Sequence, residues 1–262
     1  MALRDPIRDV RRLATGWRWR GEHVLGTRVP PHYDEELTAL IKRVRRQTLT
    51  GAARIAALCD STEYVVEAGI EGDIAECGVW KGGSMMAVAL TLIRLGAADR
   101  DLYLYDTFTG MPEPGERDVD SAYDGYSLRR RWKRKRDRGW AAVSAADVRE
   151  NLVSTGYPPE RIHLVEGMVE ETIPRTAPER LALLRLDTDW YASTKHELTH
   201  LYPRLSRRGV LIVDDYGHYE GARRAVDEYL EASGERLLLN RIDYTGRVAI
   251  KPDGGPAANG AG

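Results

Sequence analysis

The chain has 262 residues, 42% of them apolar and 30% charged, which suits one sizeable α/β core and excludes a disordered or collagen-like protein. Its 39 Lys+Arg and 40 Asp+Glu nearly cancel to a formal net charge of -1, so the molecule as a whole is no electrostatic trap for nucleic acid. Two cysteines, Cys59 and Cys77, fit no zinc spacing and are too few for a secreted disulfide framework. Charge interrupts every apolar stretch of residues 1–13, and no run approaches the ~20 apolar residues of a membrane span. A cytoplasmic protein without a membrane partner is expected.

Residues 1–33 carry Trp17, Trp19 and Pro30-Pro31 among arginines, with no sustained period, and read as an irregular arm or lid. From Tyr33 to about Ile70 the spacing is helical: Leu37, Leu40, Ile41 and Val44, then Ile55, Leu58, Cys59 and Thr62, with a break at residues 48–51. Residues 1–70 are therefore expected to form an N-terminal arm and helices supplying lid and oligomer contacts, in a homodimer or higher homo-oligomer. A core over 71–252 follows. Short apolar strands begin at Asp73, Leu102, Ile162, Leu181 and Gly209, and helices over 85–95, 145–153, 193–205 and 221–232 fall between them. This alternation predicts a parallel sheet covered on both faces. Two more strands near 236–242 and 247–251 close the core, and residues 253–262 are expected to be a disordered tail.

Residues 107–144 exceed a normal α/β connection. Their first half is acidic (Glu113 to Asp124) and their second half is a basic run over 129–138 beside Trp132 and Trp140. Such a run could serve single-stranded RNA through stacking and phosphate contacts. The preferred reading is a solvated, partly helical lid, with no nucleic-acid partner.

Three motifs carry chemistry. Glu76-Cys-Gly78-Val-Trp-Lys-Gly82-Gly83-Ser84 lies between a strand and a helix, where glycines admit a ligand to the backbone and the helix start offers N–H groups. It matches neither G-x-G-x-x-G nor a P-loop. Asp106 ends the next strand, where a carboxylate can accept from ribose hydroxyls. The strongest signal is Asp187-Thr-Asp189 and Asp214-Asp215 at the ends of consecutive apolar strands, the ligand edge of an open α/β sheet. Carboxylates converging there repel one another unless a hard divalent cation such as Mg²⁺ joins them. The competing reading makes each aspartate a helix cap.

The ordered set of Glu-Cys-Gly…Gly-Gly-Ser, Tyr-Asp-Thr-Phe-Thr-Gly-Met-Pro (105–112), Gly167 to Pro174, Leu186 to Thr194 and Val-Asp-Asp-Tyr (213–216) resembles the macrocin O-methyltransferase family over roughly residues 48–250. The resemblance implies a Rossmann-like class I methyltransferase: a seven-stranded, mostly parallel sheet with helices on both faces and a final antiparallel strand. It implies S-adenosylmethionine and Mg²⁺ as cofactors, and as acceptor a small-molecule glycoside, methylated on a sugar hydroxyl of a secondary metabolite. By that resemblance Glu76, Gly78 and Ser84 line the methionine end of the cofactor, Asp106 holds the ribose hydroxyls, and Gly167 and Met168 lie against adenine. Asp147 is a further adenine candidate that a helix N-cap at Ser144 explains equally well. Asp187, Asp214 and Asp215 are assigned to the metal and Asp189 to the general base, with ligand and base interchangeable among these aspartates. His196 and His218 compete for the base role, His218 being closer to the expected crevice. The alternative is a metal-dependent glycosyltransferase that uses Asp187-Thr-Asp189 as its Asp-x-Asp motif.

Overall fold

A computed structural model describes residues 29–119, 125–139 and 142–254 of the chain. Trp17, Trp19, Trp140 and nearly all of the arm and tail lie outside the described residues. Asp34 starts α1 (Glu35–Val44), its Oδ1 accepting the Leu37 N–H at 2.7 Å, with Glu35 and Glu36 in the first turn and Lys42 and Arg43 in the last. That charge order complements the helix dipole. α2 (Ala52–Glu67) follows the break expected from the helical spacing.

The core alternates as the apolar runs require: β1 (Asp73–Cys77), α3 (Gly83–Arg94), β2 (Leu102–Asp106), α4 (Gly125–Arg136), α5 (Ala145–Val153), β3 (Ile162–Glu166), the one-turn α6 (Val169–Thr172), β4 (Leu181–Leu186), α7 (Tyr191–His200), β5 (Leu205–Val213), α8 (Glu220–Ser233), β6 (Asn240–Arg241) and β7 (Arg247–Ile250). They form a seven-stranded sheet in the order β3-β2-β1-β4-β5-β7-β6. β1 to β5 pair in parallel, whereas β7 runs antiparallel to β5. The strand order reverses between β1 and β4, and that switch point opens a ligand crevice at the carboxyl ends.

Alternate strand residues feed two cores. Ile74, Leu102, Leu104, Leu183, Val210 and Ile212 pack under α1, α2 and α3, while Ala75, Cys77, Leu184, Leu186, Leu211 and Val213 pack under α7 and α8. Period-two alternation across a sheet covered on both faces makes each strand read as continuously apolar.

Several boundaries differ from the sequence reading. α7 stops at His200 and a 3₁₀ turn over Tyr202–Arg204 replaces its expected continuation, since Pro203 has no N–H to extend the ladder. β5 begins at Leu205, not Gly209, with a register shift against β4 and Arg208 at φ 64°. The expected strand over 236–242 reduces to Asn240–Arg241 at the sheet edge. Among the described residues no helix is long and apolar enough to cross a membrane.

Candidate active site

The glycine turn is set by close approach. Gly78 sits at φ 85°, and a Cβ there would lie 2.1 Å from the Asp187 carbonyl oxygen. A side chain at this position would therefore push the ends of β1 and β4 apart. Asp106 Oδ2 accepts from the N–H groups of Val79 (2.7 Å) and Trp80 (3.0 Å), and its Oδ1 from Phe108 (2.8 Å). The carboxylate at the end of β2 thus fixes the turn after β1. With about four lone-pair sites, it keeps capacity for one more donor.

These strand ends surround a cavity of ≈ 270 Å³. Gly78, Ser84, Asp106, Gly167, Met168, Asp187, Asp189, Asp214, Asp215 and His218 all line it. Glu76 does not. It is fully buried beneath the cavity and ion-pairs with Arg185, so direct contact with a cofactor is corrected to a role in the floor. Asp147 is exposed, and its N–H bonds to Ser144 Oγ at 3.1 Å, which makes it part of the helix start at α5. His196 Nε2 pairs with the Ile173 carbonyl at 3.0 Å and stays off the cavity.

The capping explanation for the acidic clusters fails. Trp190 and Tyr219 occupy the N-cap positions of α7 and α8, and neither caps with its side chain. The Tyr191 N–H at the start of α7 is met instead by Asp118 Oδ1 at 2.7 Å, from the inserted segment. That leaves Asp187, Asp214 and Asp215, which bring one carboxylate oxygen each within 4.8 Å of one another. Asp189 stands beside them in a left-handed conformation (φ 68°), a strained backbone for a non-glycine residue.

Two guanidiniums missing from the sequence reading lie under this cluster. Arg185, 1% exposed, ion-pairs with Glu76 and Asp214, reaches Asp187 Oδ2 at 2.8 Å and donates to Thr50 Oγ1 at 2.9 Å. Arg54 ion-pairs with Asp214 and with Asp243. A lone arginine inside the apolar strand Leu181–Leu186 was the available signal, because a buried charge demands partners.

Six carboxyl groups, Glu76, Asp187, Asp189, Asp214, Asp215 and Asp243, surround two guanidiniums. Burial pushes Asp214 up, but Arg185 and Arg54 outweigh it and hold the group below the usual carboxylate range. Burial drives Asp187 well above that range against the pull of Arg185, and Asp214 and Asp215 add to the rise. Asp215 is also raised, by burial and then by Asp189, while burial pushes Asp189 and Glu76 each to about 7. Asp215 Oδ2 is buried with no hydrogen-bond partner among the described residues. An all-oxygen set whose ionisation is opposed by burial and mutual repulsion, with one unsatisfied oxygen, suits a hard divalent cation, which would favour the charged forms.

Glu197 of α7, fully buried, supports the Asp187–Asp189 loop by accepting from Thr188 Oγ1 at 2.9 Å. Burial raises its carboxyl to about 8. The unfolded group titrates near 4.3, so the native state favours the protonated form and loses this stabilisation as pH rises from ~4.3 toward 8, by up to ~1.4 kcal/mol per unit. Glu197→Gln keeps the acceptor and removes the proton. Its melting temperature relative to wild type is expected to climb between pH 5 and 8 and level off above; a constant difference across that range would contradict a neutral Glu197.

An open sheet in this order, with a glycine turn after β1, an acidic β2 end and the cavity at the switch point, defines a class I methyltransferase. The Macrocin-O-methyltransferase (TylF) family profile matches residues 32–250. The chain is 35% identical over 197 residues to demethyldecarbamoylnovobiocin O-methyltransferase of Streptomyces niveus, covering 74% of this chain and 72% of the relative. It is 34% identical over 199 residues (76% and 73%) to 8-demethyl-8-(2,3-dimethoxy-α-L-rhamnosyl)-tetracenomycin-C 4'-O-methyltransferase of Streptomyces olivaceus, and 33% identical over 199 residues (76% of each) to mycinamicin III 3''-O-methyltransferase of Micromonospora griseorubida. The solved O-methyltransferase NovP superposes with a TM-score of 0.70 at 30% identity, covering 88% of this chain and 94% of that one. The chain belongs to the macrocin O-methyltransferase family and is an S-adenosylmethionine-dependent O-methyltransferase. The glycosyltransferase reading of Asp187-Thr-Asp189 finds no support.

Proposed function

We propose that the enzyme methylates a sugar hydroxyl of a secondary-metabolite glycoside, with Mg²⁺ held by Asp187, Asp214 and Asp215 and with Asp189 as general base. The observation that carries this reading is the convergence of those three carboxylates beside the glycine turn, within one cavity. The acceptor class is supported by the relatives, which are named for a rhamnosyl tetracenomycin, demethyldecarbamoylnovobiocin and mycinamicin III.

Gly78 and Ser84 border the methionine end of the cofactor, Asp106 accepts from a ribose hydroxyl with its remaining lone pair, and Gly167 and Met168 flank adenine. Glu76 acts from below, by holding Arg185. Asp189 takes the proton of the acceptor hydroxyl as that oxygen is methylated; bound S-adenosylmethionine would supply the methyl group and leave as S-adenosylhomocysteine. Mg²⁺ at the aspartate triad would supply Lewis acidity, since an alkyl hydroxyl is a very weak acid. The fixed strand ends align oxygen, carbon and sulfur, an orientation effect worth several kcal/mol.

Incubation with S-adenosylmethionine and a panel of deoxysugar glycosides, read by tandem mass spectrometry, tests the reading. The added methyl is expected on the sugar fragment; methyl on the aglycone would contradict it. S-adenosylhomocysteine should raise the melting temperature and UDP-sugars should not.

A further inference from the structure

Arg54 is the one lysine or arginine among the described residues that line the main cavity. It stands in the first turn of α2, just after Thr48, Leu49 and Thr50, which line the same cavity. Arg185 takes no part in that lining.

The two guanidiniums divide Asp214 between them. Arg185 pairs with Oδ1, and Arg54 Nη1 pairs with Oδ2. Burial works against the charge on Arg54, yet Asp214, Asp243, Asp215 and Asp187 outweigh it and hold the group above the usual arginine range. Three of those four aspartates are the proposed cation ligands. Arg54 therefore answers the same negative potential that a divalent cation would answer. A divalent cation at the triad and a guanidinium on Asp214 would repel each other, and little water lies between them to screen the repulsion.

Arg54 has a second place to rest its charge. Its Nε lies 3.1 Å from Asp243 Oδ2, in the turn between β6 and β7. Asp243 Oδ1 accepts from the N–H groups of Thr245 (2.9 Å) and Gly246 (2.8 Å), which fixes that turn. The stem of Arg54 packs over Gly246, where a Cβ would lie 3.0 Å from its Cδ. A guanidinium released from Asp214 would thus keep one charged partner and border the open cavity, so no buried charge is stranded.

We infer that Arg54 is the built-in counter-ion of the aspartate triad, displaced from Asp214 toward Asp243 when a divalent cation binds, and that this exchange sets how tightly the cation is held. The inference rests on the metal reading above and deepens it.

Mn²⁺ shares the preference of Mg²⁺ for carboxylate oxygens, and its binding is read from the loss of the free-ion electron paramagnetic resonance signal. The full chain, saturated with S-adenosylhomocysteine, is titrated as wild type, Arg54→Gln, Arg54→Lys, Asp243→Asn and Asp215→Asn. Arg54→Gln removes the charge but keeps a donor, and should bind Mn²⁺ about tenfold or more tightly than wild type. Arg54→Lys keeps the charge and should stay within about threefold of wild type. Asp243→Asn keeps the turn's acceptor but takes away the second charged partner, so Arg54 yields Asp214 less readily. Its Mn²⁺ affinity should fall by about threefold or more. General damage to the site would weaken binding in both directions of change, so the opposite signs mark the exchange. Should Arg54→Gln not fold, the sign of the Asp243→Asn shift decides alone. An Arg54→Gln variant that binds Mn²⁺ no more tightly than wild type, or an Asp243→Asn variant that binds it no more weakly, would overturn the proposal. Failure of the metal reading would look different: wild type and Asp215→Asn would take up Mn²⁺ alike, and the inference would fall with it.

Discussion

Asp189→Asn is expected to lower kcat by roughly 10²–10⁴-fold, the usual loss when a general base is removed. The substitution is nearly isosteric, and Asp189 has no part in the buried pairs of Arg185 and Arg54, so the fold and S-adenosylhomocysteine affinity should be retained. His218 also lines the cavity and is the one competitor for the role, His196 being turned to the Ile173 carbonyl. His218→Gln should cost less than about tenfold under the same conditions. Steady-state kinetics on both variants decide the matter. A His218→Gln loss larger than that of Asp189→Asn would move the base to the histidine.

Arg185→Met is expected to act on stability. The side chain sits at the centre of Glu76, Asp187 and Asp214, and its removal leaves buried carboxylates without their counter-charge. Breaking a buried pair in this way typically costs ~3–5 kcal/mol. For a chain of this size that corresponds to a melting temperature lower by on the order of 10 °C. Adding Glu76→Gln should recover part of the loss, because one of the stranded charges disappears. A double variant no more stable than Arg185→Met alone would mean that Arg185 serves packing rather than charge balance.

Legibility in the sequence followed the range of the interactions. Near-continuous apolar strands ending in Asp106, Asp187 and Asp214 were enough to place the ligand edge, since a parallel sheet buried on both faces leaves little else polar in its strands. Gly78 was read as a ligand-approach glycine, yet its tightest constraint is the Asp187 carbonyl, which becomes visible only when β1 and β4 are known to be neighbours. The same pairing sets Glu76 directly opposite Arg185, turning an expected cofactor contact into an ion pair. Asp118 lay in a segment read only as a lid. It is almost fully buried, and a Cβ at Gly221 would lie 2.1 Å from its Oδ1, so the insertion is keyed into the starts of both α7 and α8. Nothing local to Asp118 signals a contact with residues so distant along the chain. The repulsion argument for a cation left out Arg54 and Arg185, which already neutralise part of the cluster.

Methyl transfer is proposed to depend on a divalent cation held by Asp187, Asp214 and Asp215. Asp214 is a poor probe, since its ion pairs with Arg54 and Arg185 would be lost together with any ligand function. Asp215, whose buried Oδ2 has no hydrogen-bond partner among the described residues, is the better one. The most direct measurement is methyl-transfer turnover of wild type and Asp215→Asn after chelator treatment, followed by titration with Mg²⁺. Wild type should fall at least ~100-fold in chelator and recover fully with Mg²⁺, while Asp215→Asn should stay low at every Mg²⁺ concentration and still bind S-adenosylhomocysteine. Undiminished wild-type turnover in chelator, or an Asp215→Asn enzyme as active as wild type, would contradict the account.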